Sequence, residues 1–208
     1  MVRTSQYRLG SAELLDTLDN WESLMNFRVH LIACGGTALT LLNIKLSTKD
    51  IDFIVPVTNE YDKLIKFLRA LNYYDQGNGL AHEDDPNFIY QLWCGNKVFT
   101  TDLMESPLKE NNHILIKKWP HIYLGALNLI DLIITKMFRG TPADREDCIA
   151  AFATGQVSPE ELLNRYSEAA RYDLNPDKMI QNFVYLAEGL QEKQLIGDEF
   201  YQKVKAIA

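Results

Sequence analysis

Residues 33–55 read ACGGTALTLLNIKLSTKDIDFIV, and the two ends of this stretch decide the predicted fold. At its start an apolar run ends in Gly35-Gly36, and residues 37–44 then have the pattern of a short, mostly buried helix. At its end residues 50–56 alternate strongly, which is typical of a strand. A strand, a glycine turn, a helix and a second strand in this order predict a mixed α/β core.

Two carboxylates stand two positions apart on the second predicted strand. Because side chains alternate across a strand, Asp50 and Asp52 should share one face, while Ile51 and Phe53 point into the core. Two close carboxylates repel each other, and a divalent cation removes that conflict. Mg²⁺ prefers carboxylate and phosphate oxygens, so the pair predicts a site for Mg²⁺ or Mn²⁺ with a bound triphosphate. The alternative is that both are solvated charges at the start of a strand.

Outward from this stretch, the chain divides into a mixed half and a helical half. Before Pro120 the pattern predicts helices at 11–27 and 59–71, strands at 28–34, 88–94, 97–104 and 113–118, and a loop at 75–87. After Pro120 it predicts helices at 126–139, 142–153, 159–170, 176–191 and 198–207. The expected fold class is α+β, a mixed sheet flanked by helices in residues 1–122, with residues 123–208 as a helical region packed on that core.

The charge, hydropathy and cysteine content of the chain make several classes of function less expected. The formal net charge of −7 makes broad nonspecific binding of nucleic acid a poor expectation, because such a surface repels a phosphate backbone. No stretch approaches the roughly 18 apolar residues of a membrane span, and the N-terminal residues lack the apolar core of a signal peptide. The three cysteines contain no CxxC pair, which fits a reducing compartment. We therefore expect a cytoplasmic protein without a membrane partner.

Taken together, the glycine pair and the carboxylate pair resemble the signature of the polymerase-β-like nucleotidyltransferase superfamily. That signature is a Gly-Gly or Gly-Ser turn, a helix, and a strand carrying Asp-x-Asp. Gly35, Gly36, Asp50 and Asp52 match it, and thirteen residues separate the second glycine from the first aspartate, at the long end of the family spacing. The resemblance implies a nucleotidyltransferase-type sheet in which Asp50 and Asp52 are catalytic and hold the metal.

A third carboxylate usually lies on a later strand in that superfamily. The candidate is Asp102 in VFTTDLM, residues 98–104, where it would complete the metal site or act as a base. A solvated aspartate on a strand is the alternative. The nucleotide itself is expected to contact four residues beside the carboxylates: Gly35, Gly36, Thr37 and Lys49. Glycine permits close approach of a phosphate, and amides at a helix N-terminus favour negative charge.

Residues 128–152, NLIDLIITKMFRGTPADREDCIAAF, resemble the helical region of AbiEii-type nucleotidyltransferase-like toxins. Lys136, Asp144, Arg145 and Asp147 match the pattern of that group, and the resemblance covers roughly residues 28–152. Lys136 is expected to help neutralise a triphosphate, and a surface position is the alternative. The fit of Asp144 to a helix cap favours capping over catalysis. Arg145 and Asp147 are expected to tie their helix to the α/β half.

These features predict transfer of a nucleoside monophosphate from an NTP to an acceptor hydroxyl, with Mg²⁺ or Mn²⁺ as cofactor. The acceptor is unidentified, and tRNA, other RNA, protein or a small molecule are all open. The toxin-like helical region adds an antitoxin as an expected partner. The main alternative is a catalytically inactive module of the same fold that binds a nucleotide or a protein. A glycosyltransferase that uses its DxD to hold a sugar nucleotide is a second alternative, against which the early Gly-Gly helix start argues.

Overall fold

The computed structural model describes residues 8–207, and the contacts within this part of the chain divide it into two compact units. The first unit comprises residues 8–99 and Glu105–Leu127, and the second comprises Thr100–Met104 and residues 128–207. The first unit contains a mixed sheet with helices, and the second is mainly helical. The expected α+β class is therefore confirmed.

The strands of the described chain are short, apart from one strand of ten residues. They are β1 (Val29–Ala33), β2 (Ile51–Val55), β3 (Tyr73–Gln76), β4 (Gly79–His82), β5 (Asp85–Cys94), β6 (Lys97–Val98), β7 (Thr101–Asp102), β8 (His113–Lys118) and β9 (Ile122–Leu127). The helices are α1 (Ser11–Leu24), α2 (Gly35–Leu41), α3 (Thr58–Ala70), α4 (Leu129–Arg139), α5 (Pro142–Phe152), α6 (Pro159–Arg171), α7 (Pro176–Glu192) and α8 (Asp198–Lys205).

Within residues 8–127, one sheet has the strand order β3-β4-β5-β2-β1-β9-β8. Strand β2 lies inside it, antiparallel to β1 and parallel to β5. All five residues of β2 are buried, and so are Leu64 and Leu68 of α3 and every residue of α2 except Gly36. A strand with partners on both edges has a fixed register, so the position of Asp52 is determined by the sheet.

Helix α1 follows the predicted amphipathic pattern and buries Leu14, Leu18 and Trp21. The indole Nε1 of Trp21 donates to the Tyr73 hydroxyl of β3 at 3.1 Å. On the same helix, Glu22 accepts hydrogen bonds from the backbone N–H groups of His121 and Ile122 at the start of β9. Helix α1 is therefore joined to the sheet by both apolar and polar contacts.

Three parts of the expected strand pattern are wrong or incomplete. The predicted loop 75–87 contains β4 and the ends of β3 and β5, which form antiparallel pairs despite their glycine and acidic residues. The predicted strand 97–104 is divided into β6 and β7, because Phe99 has a φ of 53° and interrupts the extended backbone. Strand β9 was not predicted, and it pairs in parallel with β1.

In the second unit, α4 is buried along nearly its whole length, and its caps follow local sequence rules. The side chain of Asn128 accepts a hydrogen bond from the backbone N–H of Asp131 at the start of α4, and Gly140 ends the helix with a φ of 67°. Tyr166 of α6 stacks on Phe183 of α7 with ring centroids 4.3 Å apart. None of the helices described is long and apolar enough to cross a membrane.

Candidate metal and nucleotide site

The glycine turn is built around the side chain of Asp52. Helix α2 begins at Gly35 itself, so the glycine pair forms its first turn instead of preceding it. Gly35 has a φ of 57°, a conformation that glycine adopts with little strain, and a Cβ placed there would collide with Asp52 Oδ2. Gly35 is therefore required both by the backbone and by the close approach of this carboxylate.

Gly36 makes room for a second polar side chain. A Cβ at Gly36 would lie 2.7 Å from Thr48 Oγ1. That hydroxyl donates to the backbone carbonyl of Asp50 at 2.9 Å. The second glycine thus lets the segment before β2 pass close to α2, and it fixes where the carboxylate strand begins.

Thr37 connects α2 with both carboxylate residues through their backbone. Its Oγ1 donates to the Asp50 carbonyl at 3.1 Å and accepts from the Asp52 N–H at 2.9 Å. The Thr37 side chain is fully buried, so its observed contacts are with the carboxylate strand. A nucleotide could not contact this side chain in the present conformation. The backbone N–H of Cys34 adds another link, since it donates to the Asp52 carbonyl at 3.0 Å.

The two carboxylates differ in their surroundings. Asp52 is only 6 % exposed on β2, whereas Asp50 is half-buried just before that strand. Thr37 and Thr48 both bond the backbone carbonyl of Asp50, whereas its carboxylate makes no hydrogen bond or ion pair within residues 8–207. Burial raises the pKa of Asp50 above its ordinary value, and the nearby charge of Lys49, which is itself exposed, opposes that shift.

The strand beside β2 carries a neutral amide directly opposite Asp52. In the parallel pairing of β2 with β5, Asp52 lies opposite Gln91. Gln91 is buried, and its backbone belongs to the ladder that joins β5 to β2. Among residues 8–207, no group of three or more His, Cys, Asp or Glu side chains could hold a metal ion. A cation at the Asp50–Asp52 pair would therefore take further ligands from phosphate oxygens and water, as Mg²⁺ commonly does.

The other two predicted site residues belong to the second unit. Asp102 is an exposed residue of β7, and β7 is not one of the strands that pair with β2. Lys136 of α4 is only 5 % exposed, and its Nζ lies 2.8 Å from Asp147 Oδ2 and 3.7 Å from Asp144 Oδ1. The expected roles of Asp102 in metal binding and of Lys136 in triphosphate binding stay predictions.

Asp144, the residue beside that lysine, is a helix cap. Thr141 and Asp144 form the predicted capping box at the start of α5. Burial tends to raise the pKa of Asp144, but hydrogen bonds from Arg139 and Thr141 and the positive charges nearby hold it below the ordinary value. Arg145 donates to the Tyr185 carbonyl of α7 at 2.8 Å. These contacts hold the helices of the second unit together.

Sequence reasoning pointed to the carboxylates and glycines of the first unit, and it missed Gln91. The placement of Gln91 opposite Asp52 depends on which strand pairs with β2. No protein-family model matches the chain, and no curated protein matches it. Function is therefore inferred from the residues of the site.

Proposed function

We propose that the chain is a nucleotidyltransferase that transfers a nucleoside monophosphate from an NTP to an acceptor hydroxyl and releases pyrophosphate. The observation that carries this proposal is the state of Asp50. Its carboxylate is half removed from water, has no hydrogen bond or ion pair within residues 8–207, and lies two positions from buried Asp52. A site of this kind gains from a bound cation, because the cation compensates the charge of Asp50 two positions from a second carboxylate.

The donor set fits Mg²⁺ or Mn²⁺, since both available ligands are hard carboxylate oxygens. Asp50 and Asp52 would hold the ion, which when bound supplies charge neutralisation for the triphosphate. Gly35 leaves room for the Asp52 carboxylate at the start of α2, and Gly36 leaves room for the Thr48 hydroxyl. Lys49 is exposed beside them and would add positive charge toward phosphate oxygens.

Thr37 has a positioning role in this proposal. Its hydroxyl bonds the backbone of both Asp50 and Asp52, so the two carboxylates are held before any ligand binds. Catalysis by phosphoryl-transfer enzymes depends mainly on such positioning and on stabilisation of charge. The nucleotidyltransferase-type fold is part of the same proposal, supported by the succession of β1, the Gly-Gly turn, α2 and β2.

A second candidate function is a catalytically inactive module that binds a nucleotide. The observation in its favour is Gln91, which occupies the position opposite Asp52 where a third carboxylate would strengthen metal binding. Two carboxylates suffice to bind a metal nucleotide, since phosphate oxygens complete the coordination. Binding without transfer would distinguish this module from the enzyme.

The test is incubation of the full chain with each α-labelled NTP, Mg²⁺ or Mn²⁺, and a cell extract as the source of acceptor. We expect label on an acceptor with the wild-type chain and at least a hundredfold less, an order-of-magnitude expectation, with Asp52→Asn. Asp84→Asn is the matched control, because Asp84 is an exposed acid of the same unit. Undiminished transfer by Asp52→Asn would overturn the assigned site.

Asp102→Asn in the same assay tests the third predicted ligand. Loss of transfer with retained NTP binding supports a role for Asp102 in the reaction. Transfer equal to that of wild type leaves Asp50 and Asp52 as the whole carboxylate set. Calorimetry with Mg²⁺ and NTP on every variant separates loss of binding from loss of transfer.

A further inference from the structure

A row of side chains continues from the carboxylates along one face of the sheet. The parallel register pairs Asp52 with Gln91 and Ile54 with Trp93. Residues two apart on a strand share a face, and directly paired residues of neighbouring strands do as well. Asp52, Gln91 and Trp93 therefore lie on the same face of the first unit, and none of them depends on the second unit for this placement.

The spacing of this row suits the parts of a nucleotide. Neighbouring strands are about 4.8 Å apart and alternate residues of one strand about 6.7 Å apart, so the Cα of Trp93 lies roughly 8 Å from that of Asp52. A nucleotide whose phosphates lie at Asp50 and Asp52 can extend its sugar and base over Gln91 and toward Trp93. The row is thus long enough for the organic part of an NTP.

One polar group of the row has unmet hydrogen-bonding capacity. Within residues 8–207, the Trp93 Nε1–H is buried and has no hydrogen-bond partner. The largely buried side chain of Gln91 lies beside it on the same face. Buried polar groups are nearly always paired, so the unpaired indole N–H calls for a specific explanation. A ligand with its own donors and acceptors would provide one.

The ring of Trp93 also offers an apolar surface beside these groups. It is half-buried, and the ring of Phe99 lies against it with centroids 4.8 Å apart. Phe99 has a φ of 53°, which is rare for a bulky residue, and such backbone conformations cluster at ligand sites. Nucleobases stack on indole rings whatever their identity, because every base has a π-face.

We propose that Gln91 and Trp93 form the subsite for the ribose and base of the nucleotide, an inference that rests on the proposed function. Trp93 stacks on the base, and the Gln91 amide, which has both donors and an acceptor, bonds the sugar or the base edge. An amide of this kind accepts purine and pyrimidine nucleotides alike. The ligand class is therefore a nucleoside triphosphate of relaxed base preference, bound more tightly than inorganic tripolyphosphate.

Calorimetry on the full chain with Mg²⁺ tests the subsite, with ATP, UTP and inorganic tripolyphosphate as probes. We expect Trp93→Leu to weaken ATP and UTP binding about tenfold, the loss of one stacked base, and to leave tripolyphosphate binding unchanged. Trp93→Phe keeps an aromatic face and should restore most of the affinity for ATP. Trp119→Leu is the control, since Trp119 lies between β8 and β9, away from the row, and should bind all three probes as wild type does.

The outcomes separate this inference from the proposed function. ATP binding by Trp93→Leu at the wild-type affinity overturns the subsite and leaves the carboxylate site standing. A wild-type chain that binds neither ATP nor tripolyphosphate overturns the proposed function, and the subsite with it. If Trp93→Leu does not fold, Gln91→Leu carries the test: weaker ATP binding with unchanged tripolyphosphate binding supports the subsite, and unchanged ATP binding overturns it.

Discussion

The two units of this chain differ in how far the charge of a buried or half-buried carboxylate is compensated by neighbouring groups. In the helical unit, Asp144 is only 2 % exposed, and Arg139 Nε donates to it at 2.8 Å while Lys136 lies nearby. Those partners outweigh burial and lower the pKa of Asp144. In the sheet unit, burial of Asp50 is opposed only by the charge of neighbouring Lys49, and the pKa is raised.

The difference shows that burial alone does not identify a ligand site. The charge on Asp144 is compensated within the chain, so it stabilises its helix and requires nothing from outside. The charge on Asp50 is left to be compensated by something else. A search for functional acids in a single structure should therefore examine what pairs with a carboxylate before it considers how deeply that carboxylate lies.

The largest expected effect comes from removing the compensated charge. Asp144→Ala deletes the cap of α5 and leaves Arg139 and Lys136 with one acid fewer, so the free energy of unfolding should fall by about 3 kcal/mol. Urea denaturation measures the change. Asp177→Ala, at an exposed acid in the first turn of α7, is the control and should alter stability by less than about 0.5 kcal/mol. Equal losses in the two variants would mean that the partners of Asp144 contribute nothing to stability.

Asp144→Ala should also change how the free energy of unfolding depends on pH in the acid range. The folded pKa of Asp144 is lowered from 3.8, so its contribution is present above the unfolded value and lost as pH falls through the lower folded value. Denaturation between neutral pH and about pH 2 should therefore show a shallower decline in Asp144→Ala than in wild type. Parallel curves would mean that Asp144 titrates as it does in the unfolded chain.

A smaller effect is expected at the glycine that faces Asp52. Gly35→Ala combines a left-handed backbone with a collision against that carboxylate, and should lower the free energy of unfolding by about 2 kcal/mol. Gly77 is the matched control, because its φ is 60° but nothing lies within 4 Å of a Cβ there. Gly77→Ala should lose only the backbone part, about 1 kcal/mol. Equal losses would show that the contact with Asp52 contributes nothing.

The smallest effect is expected at Asp50, and it has the opposite sign. Because the folded pKa of Asp50 is raised, the ionised form is disfavoured by folding, and stability falls as pH rises through that pKa. Asp50→Asn should therefore raise the free energy of unfolding at neutral pH, by on the order of 0.5 kcal/mol. The gain should vanish at acid pH, below the unfolded pKa. Calorimetric unfolding at both pH values, without divalent cations, measures it, and a loss at neutral pH would contradict it.

Patterns of residues close together in sequence were sufficient to predict part of this fold. The alternation of β2, the amphipathic face of α1 and the caps of the C-terminal helices are all encoded by residues close together in sequence. Strand β9 contains Gly125, which depends on residues far away in sequence. A Cβ at Gly125 would lie 2.8 Å from the His113 side chain and 2.9 Å from the Ile32 side chain. Packing from distant residues explains that glycine, and a single sequence does not reveal it.

The candidate site likewise combines residues that local sequence reveals with residues that only the packing of distant segments brings together. Asp50, Asp52 and the glycine pair were found because the motif is local, whereas the neighbour of Asp52 depends on which strand pairs with β2. Gln91 comes from a segment almost forty residues further along the chain, and only the register brings the two together. The ion pair of Lys136 with Asp147 could not be predicted from the sequence either, because it depends on the packing of α4 against α5.

The hydroxyl of Thr37 has a consequence for the segment between α2 and β2. Because that hydroxyl holds Asp50 and Asp52 by their backbone, the carboxylates keep their place independently of how many residues connect the helix to the strand. Leu46 is almost fully exposed within this connection. The exposed part of this connection around Leu46 should therefore tolerate changes in length or sequence, whereas Thr48 at its end is buried and bonds the Asp50 carbonyl. An insertion inside β2 would turn the acids away from the glycines.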